Sequence, residues 1–398
     1  MTTRSARTAL AAVVFAVLLA QVLLYPGIDT LVAALGADTT LDASMWFLAA
    51  EFGAFVLFAG LWGAASDAAG RRVPFIVAGA LGGAAGYALL AGLPQVIDLP
   101  FLAVLGLRTL QGAATIGAFS LSITMLMDLE GGHGRNMGAA GIAIGGGTAL
   151  GAPLGGQLYE VNPFAPLIAA CALLIAVGLL ASRVTDRAPG ESRGRLGAVR
   201  ETIRDTPAIL VPCAFGFVDR LTAGFFALVG TLYFREVFAL SPGSTGLMLA
   251  LFFAPFALFQ YPFGVLSDRI GRTIPVLAGS TLYGLVVIGV GLAPTVALAG
   301  AAMVAVGVIG ALMAPATMAL VTDLAADDQR GVAMAAFNAV GSLGFLAGVL
   351  VGGTVADEYG YFAAFLTVGG LEVAVATLAV PAFLRLGIPG VATRARES

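Results

Sequence analysis

The sequence predicts an all-α polytopic membrane protein whose twelve membrane-spanning helices form two six-helix bundles. The first observation is composition, because 59% of the 398 residues are hydrophobic and only 11% are charged, beyond the apolar share of an ordinary soluble domain. The second is that apolar runs of about 20 residues, the length that crosses a bilayer core, recur along the chain. The third is a polar stretch of ten residues that occurs once in each half.

The apolar runs divide into six on each side of a polar central segment. This segment, residues 183–206, contains six Arg, four acidic residues and Pro189-Gly190, so we expect a linker there. The predicted organisation is an N-terminal bundle at 1–182, a cytoplasmic linker at 183–206 and a C-terminal bundle at 207–398. The runs lie at residues 9–33, 44–66, 74–93, 101–127, 137–158, 164–182, 208–233, 244–266, 274–293, 296–321, 332–355 and 361–384.

The repeated polar stretch occupies Gly63–Arg72 and Gly264–Thr273. In both copies a Gly is followed by an Asp, a second Gly and then at once an Arg. Gly permits a sharp reversal, Asp can accept hydrogen bonds from helix N-terminal amides, and Arg favours the cytoplasmic side. Each half is therefore predicted to contain one tight cytoplasmic turn. The residues concerned are Gly63, Asp67, Gly70, Arg71 and Arg72 in the first copy and Gly264, Asp268, Gly271 and Arg272 in the second.

These turns resemble the signature loop of the major facilitator superfamily of transporters, G-x-x-x-D-x-x-G-R, which joins helices 2 and 3 and recurs between helices 8 and 9. The second copy fits better, because Ala65 and Ala68 replace the usual Leu and Arg in the first. The resemblance implies two bundles that rock around a site in the middle of the membrane. We interpret the turns as a cytoplasmic gate, with ordinary solvated loop charge as the alternative. Two further charge pairs belong to the predicted gate, Asp128 with Arg135 and Asp323 with Arg330.

The distribution of positive charge predicts the topology. All twenty positive residues are Arg, and seventeen of them lie at cytoplasmic ends if the N-terminus is inside. Arg235 lies outside, and Arg108 and Arg220 lie within the membrane. Both termini of a multi-pass protein of the cell membrane are therefore expected in the cytoplasm. The first run extends from Ala9 to beyond Thr30, longer than the 7 to 15 residues of a signal-peptide core, so we expect it to be retained as helix 1.

The composition argues against several kinds of chemistry. A chain with no Lys has no P-loop lysine for ATP-driven transport and no Schiff-base pigment. The single His133 is predicted in a short loop, and Cys171 and Cys213 lie in apolar helices, so no metal, haem or disulfide site is expected. We therefore expect no cofactor and no enzymatic activity, and we infer that an ion gradient supplies the energy.

Helix 4 contains the segment LGLRTLQGAAT, with Arg108 and Gln111. An Arg inside a spanning helix costs about 2.5 to 3.5 kcal/mol on insertion scales, so it needs a buried partner or water. The segment resembles the R-x-x-Q-G motif of the drug:proton antiporters of the superfamily, which implies that Arg108 takes part in proton coupling. The alternative is a structural Arg that holds helices together.

Helix 5 contains GGGTALGAPLGG, in which Gly147, Gly151 and Gly155 lie on one face and allow close helix packing. The segment resembles the antiporter motif G-x-x-x-G-P-x-x-G-G. Ala152 stands where that motif has its Pro, and Pro153 follows one residue later. We therefore expect the kink of this helix to be displaced by one residue.

Several other charges lie at membrane depth. Asp219 and Arg220 are adjacent in helix 7 and point about 100° apart, so they cannot pair side by side on one helix face. Glu51 in helix 2 is level with Arg108, and Glu372 lies in helix 12. Acids in the membrane are functional by default, and burial disfavours their charged form. The candidates for proton coupling are therefore Asp219, Glu51, Arg108, Arg220 and Glu372. We expect Asp219, and after it Glu51, to carry the proton, and the alternative for Glu372 is that it only neutralises an Arg.

A substrate cavity is expected between the bundles. Helix 1 is interrupted by Tyr25-Pro26-Gly27, a kink that suits either packing or gating. Helices 7 and 8 contain eleven of the twenty-five Phe residues. Aromatic residues at helical spacing usually pack, but this concentration suits a pocket for an amphipathic organic molecule. The candidate cavity residues are Gln21, Tyr25, Gln111, Phe217, Phe225 and Phe256.

The sequence thus predicts a secondary active transporter that acts as a monomer in the lipid bilayer and binds a small solute and protons, with no nucleic-acid partner. By the resemblance, the expected activity is export of a lipophilic solute in exchange for protons. Proton-coupled uptake of a sugar, a metabolite or an organic ion stays open, because shared motifs do not set the direction. A non-transporting membrane sensor is a further alternative, although the longest polar stretch is the central linker.

Overall fold

A computed structural model describes residues 3–130, 133–186, 204–326 and 329–385, without the side chains of residues 133–135 and 137. These residues form α-helices connected by short loops, and no strand occurs among them. The helices are α1 (Thr3–Val22), α2 (Ile28–Ala34), α3 (Leu41–Ala69), α4 (Val73–Gly92), α5 (Phe101–Met127), α6 (His133–Val161), α7 (Ala165–Ala181), α8 (Leu210–Phe225), α9 (Thr231–Glu236), α10 (Pro242–Ile270), α11 (Thr273–Gly291), α12 (Val296–Leu324), α13 (Arg330–Tyr359) and α14 (Tyr361–Arg385).

Every predicted spanning run coincides with a helix or with a pair of consecutive helices. In the described ranges, ten helices are long and apolar enough to cross a membrane by length and composition. The other two runs correspond to α7, an apolar helix of 17 residues, and to the glycine-rich α6. The predicted all-α polytopic fold is confirmed.

Two of the predicted spans are not continuous α-helices. Helix 1 is divided into α1 and α2 at Tyr25-Pro26-Gly27, as the position of the Pro predicts. The Tyr159 hydroxyl donates a hydrogen bond of 2.9 Å to the Leu24 carbonyl beside the break. Helix 7 is divided into α8 and α9 by a π-helical turn at Phe226–Gly230, which the sequence pattern did not predict.

By their internal contacts, the residues divide into two compact units. The first contains Met1–Ser192 together with Thr231–Ala250, and the second contains Arg193–Gly230 together with Leu251–Ser398. The first unit therefore includes α9 and the beginning of α10, which follow the predicted linker in the chain. Most of that linker lies outside the described residues.

In each unit, two corresponding helices pack through a row of glycines. In the first unit, the glycine face of α6 lies against α1, where a Cβ atom at any of three positions would collide with α1 atoms. In the second unit, α13 presents an equivalent row to α8. Small residues let helix backbones approach closely, so the two rows define the same contact in both halves. They consist of Gly147, Gly151 and Gly155 in α6 and of Gly344, Gly348 and Gly352 in α13.

Candidate functional site: buried charges and cytoplasmic turns

The first unit contains a buried ion pair between Glu51 of α3 and Arg108 of α5. The distance from Arg108 Nη2 to Glu51 Oε2 is 2.5 Å, and neither side chain is exposed. Gly112, one turn beyond Arg108, lies directly against the Glu51 backbone, where a side chain would not fit comfortably. The helices can therefore come close enough for the pair to form.

Polar and aromatic side chains surround this ion pair. Arg108 Nη1 donates a hydrogen bond of 2.5 Å to Gln111 Oε1, and the guanidinium lies 4.6 Å from the centre of the Phe47 ring and 5.6 Å from that of Tyr87. An aromatic face attracts a cation at such distances. Gln111 and the two aromatic rings thus hold the Arg108 guanidinium in one orientation.

Three polar atoms of this cluster have no hydrogen-bond partner among the described residues. They are Glu51 Oε1, Arg108 Nε and the Tyr87 hydroxyl, all of them buried. Gln21 and Tyr25 of helix 1 are also buried and lie close enough to interact with the Glu51 carboxylate. Unsatisfied buried polar groups are costly and few in native structures. Three of them lie together beside the ion pair of Glu51 and Arg108.

Asp219 and Arg220 lie together in α8 of the second unit but do not form a side-by-side pair. Arg220 Nη2 instead donates a hydrogen bond of 3.0 Å to Asn338 Oδ1 of α13, and its guanidinium lies over Gly341. Asn338 is a partner that sequence reasoning missed. Asp219 is half-buried, and the described part of the chain contains no cation within ion-pair distance of it.

Glu372 of α14 is fully buried in the second unit and contacts two hydroxyl groups. One carboxyl oxygen lies 3.2 Å from Thr222 Oγ1 of α8 and the other 2.6 Å from Ser280 Oγ of α11. Within the described ranges no Arg forms an ion pair with it. The suggestion that Glu372 neutralises an Arg is therefore wrong for the described residues, because its partners are two hydroxyl groups.

The first of the two turns predicted to be cytoplasmic is held by Arg72. Gly70 ends α3 with φ of 61°, a left-handed conformation that glycine adopts without strain. Arg72 is almost fully buried, forms a close ion pair with Asp128 at the end of α5 and lies 3.7 Å from Asp67. Arg71 is exposed. Of the two adjacent arginines, only Arg72 connects the turn to α5.

The second turn is built in the same way. Its pairing residue, Arg272, directly follows Gly271, whereas Arg72 lies two residues after Gly70. Gly271 follows α10 with φ of 86°, and Arg272 pairs with Asp268 at 2.6 Å and with Asp323 of α12 at 3.0 Å. Arg330 donates to the Thr322 carbonyl at 3.1 Å. The side chain of Arg135, also predicted to belong to the gate, lies outside the described residues.

Asp186 is a further turn residue that sequence reasoning missed. Its carboxylate accepts hydrogen bonds from the backbone amides of Arg72 and Val73, at 3.0 to 3.2 Å, at the N-terminus of α4. A negative charge there stabilises the helix through its free amides and its dipole. Asp186 makes this contact at α4, and the contact of Asp67 with a helix N-terminus stays a prediction. Asp186 lies 114 residues from Arg72, so local spacing gives no signal for it.

The outer ends of helices in the first unit are connected by a second set of polar contacts. Arg235 of α9 pairs with Asp29 of α2 at 2.8 Å and also donates to Thr30 at 3.0 Å and to the Leu240 carbonyl at 2.7 Å. This is the one Arg that the predicted topology places on the outer side of the membrane. Its contacts connect α9 to the outer segment of the interrupted helix 1.

The aromatic candidates for a cavity differ in burial. Phe225 is fully buried, and its ring centre lies 5.5 Å from that of Phe226 and 4.9 Å from that of Phe365. It therefore packs the interior of the second unit. Phe217 and Phe256 are half-buried, and their place in a substrate cavity stays a prediction.

Comparison with known sequences places the chain in a family. Residues 10–226 and 213–398 each match the family model described as Major Facilitator Superfamily. Over 243 residues the chain is 30% identical to the tetracycline resistance protein, class G, of Vibrio anguillarum, covering 58% of this chain and 59% of that protein. It is 31% identical over 159 residues to an uncharacterized MFS-type transporter of Methanocaldococcus jannaschii, covering 38% of this chain and 40% of the relative. Each match thus spans less than two thirds of the relative.

Solved structures show the same fold. A nucleoside transporter superposes with a TM-score of 0.77 at 15% identity, over 95% of this chain and all of that chain. A D-xylose-proton symporter superposes with a TM-score of 0.74 at 16% identity, over 98% of both chains. Because the family model matches both halves and the fold agrees over nearly the whole length, the chain belongs to the Major Facilitator Superfamily and is a multi-pass membrane protein.

Proposed function

We propose that the protein exports a small, lipophilic organic solute in exchange for protons. The observation that carries this proposal is the buried pair of Glu51 and Arg108, with unsatisfied polar atoms on both partners and on Tyr87. The similarity to a protein named for tetracycline resistance supports export and an organic solute. A bovine relative, 24% identical over 281 residues, 68% of this chain and 54% of that protein, is named as a synaptic vesicular amine transporter.

The pair suits proton coupling for an electrostatic reason. When Glu51 is ionised, its attraction to Arg108 offsets part of the cost of burying both charges. Protonation of Glu51 removes that attraction and leaves the Arg108 guanidinium in need of another partner. The cluster therefore has two states that differ by one proton, which is what coupling to a pH gradient requires. Asp219 is the second proposed carrier, because it is half-buried without an ion-pair partner among the described residues.

Direction and coupling can be tested in proteoliposomes with an imposed pH gradient. Tetracycline and a panel of lipophilic amines serve as probes, and a trapped pH dye reports proton movement. Solute and protons that move in opposite directions support the proposal, whereas movement in the same direction supports uptake. If neither moves for any probe, a role as a sensor gains support.

Matched variants identify the proton carrier in the same assay. Glu51→Gln and Asp219→Asn remove one ionisable group each with little change of size. Glu358→Gln is the control, because Glu358 is exposed at the end of α13. The true carrier should still bind solute when substituted but lose uphill exchange, while the control retains it. If both carrier variants drive uphill exchange, both assignments are excluded.

A further inference from the structure

Glu372 lies in a closed polar pocket that the proposed transport cycle does not use. Its carboxyl group contacts Thr222 at 3.2 Å and Ser280 at 2.6 Å, and the side chain has no solvent exposure. A carboxylate in such a place, without a cation or several strong donors, would carry a large desolvation cost. The protonation state of Glu372 therefore depends on the hydrogen bonds that its neighbours can offer.

The hydrogen bonds of the pocket can be counted. Thr222 Oγ1 lies 3.2 Å from the Val218 carbonyl as well as 3.2 Å from Glu372 Oε1. A hydroxyl has one proton to donate, and a backbone carbonyl can only accept. Thr222 therefore cannot satisfy both Val218 and an ionised Glu372. If Glu372 is protonated, it donates to Thr222, Thr222 donates to Val218, and Ser280 donates to the other carboxyl oxygen, so every group has a partner.

The surrounding helices supply little to stabilise a negative charge on Glu372. From α8, Asp219 interacts electrostatically with Glu372, and an ionised Asp219 would oppose a second negative charge. Arg220, also on α8, donates to Asn338 of α13. From α11 the facing titratable group is Tyr283, and the membrane-spanning part of α13 contains no titratable residue.

The pocket is also closed by tight helix packing. A Cβ atom at Gly284 of α11 would collide with the Gly369 carbonyl and the Glu372 Cβ of α14. A Cβ atom at Gly369 would in turn collide with the Gly284 carbonyl. The two backbones are therefore in direct contact beside Glu372, which keeps water from solvating its carboxyl group.

We infer that Glu372 is a further proton-binding site, which holds its proton at neutral pH and donates it in a hydrogen bond to Thr222. This site connects α14 to α8 and α11 within the second unit and is separate from the pair of Glu51 and Arg108 in the first. The inference does not rest on the direction of transport or on the identity of the solute, because it follows from the local count of donors and acceptors.

Infrared spectroscopy of the purified full-length protein tests the protonation state directly, because a protonated carboxyl group has a C=O stretch that a carboxylate lacks. We expect an acid band at neutral pH that disappears in Glu372→Gln and persists in the exposed control Glu358→Gln. Ser280→Ala should keep the band but move it to higher frequency, because the carbonyl loses its donor. An acid region that is unchanged by Glu372→Gln would overturn the inference.

Thermal unfolding in detergent provides a second and independent readout. Gln reproduces the hydrogen bonds of a neutral acid, since its carbonyl accepts from Ser280 and its amide donates to Thr222. Glu372→Gln should therefore unfold no lower than the wild type at neutral pH, whereas Glu372→Leu, which can neither donate nor accept, should unfold at a lower temperature. If Gln is as damaging as Leu, or prevents folding, the residue is ionised and the inference fails.

Discussion

Glu51 and Arg108 are 57 residues apart in the chain, yet they form an ion pair in which both side chains are completely buried. In a buried pair, the attraction between the two charges offsets their desolvation cost only while both partners are present. The sequence left two roles open for Arg108, a part in proton coupling and a structural one. The two roles can be separated because stability and coupling respond differently when the charges are removed one at a time or together.

Glu51→Gln should destabilise the protein by about 3 to 5 kcal/mol, because it leaves the Arg108 charge buried without its partner. The double variant Glu51→Leu/Arg108→Met removes both charges and should recover most of this loss. Thermal unfolding measures stability, and the pH-driven exchange assay measures coupling. We expect the double variant to be stable but uncoupled. Recovery of uphill exchange in that variant would show that the pair is only structural.

Asp128→Asn should weaken the first cytoplasmic turn more than Asp67→Asn does. Asp128 is in close contact with Arg72, whereas the Asp67 carboxylate is 3.7 Å away. For Asp67→Asn we expect a loss of roughly 0.2 to 1 kcal/mol, as for a partly exposed ion pair, which shifts a balanced equilibrium by up to about fivefold towards the inward-open state. Thiol labelling of cysteines placed at the cytoplasmic ends of α5 and α12 measures the shift. Unchanged accessibility in both variants would show that these contacts do not hold the predicted gate closed.

Asp29→Asn should loosen the outer contact between α2 and α9. The pair with Arg235 is largely but not fully buried, so a loss of about 1 kcal/mol is expected, equivalent to about a fivefold shift in a two-state equilibrium. Labelling of a cysteine at Leu31 by an external reagent reports the change. Asp38→Asn is the control, because Asp38 is exposed and forms no ion pair in the described structure. Equal labelling in the two variants would show that the contact does not restrain α2.

Gly155→Ala should destabilise the first unit by about 1 to 3 kcal/mol through overpacking. The added methyl group would collide with the Leu23 backbone carbonyl of the neighbouring helix, which cannot move aside cheaply. Gly141→Ala, in the same helix, is the control, because nothing lies within 4 Å of its Cβ position. The comparison of unfolding temperatures checks this. A similar effect of both substitutions would mean that the cost is not one of close packing.

Arg193→Cys should be labelled only by reagents that reach the cytoplasm, because the excess of positive charge predicts that the linker lies inside. Cys171 and Cys213 are first replaced by Ser so that they do not react. The assay uses intact cells with a membrane-impermeant maleimide, followed by labelling after permeabilisation. Labelling of intact cells from the outside would reverse the topology.

The sequence predicted the fold because its signals are local or periodic. The length of an apolar run indicates each spanning helix, and the polar turn recurs after half the length of the chain. The break of helix 1 lies at Pro26-Gly27, where Pro removes a backbone donor and Gly lowers the helix propensity. A Pro alone does not break a helix here, because Pro153 lies inside α6. The glycine row of α6 was visible as four-residue spacing, which brings its members onto one face.

What only the tertiary structure decided is which polar groups meet. Spacing along the chain could not show that Arg72 rather than Arg71 holds the first turn, or that Asp186 closes the N-terminus of α4 from 114 residues away. Nor could it place Thr222 and Ser280 on either side of Glu372. A hydrogen bond or ion pair requires atoms within about 3 Å of each other, and across helices that distance is set by packing geometry that no single segment encodes.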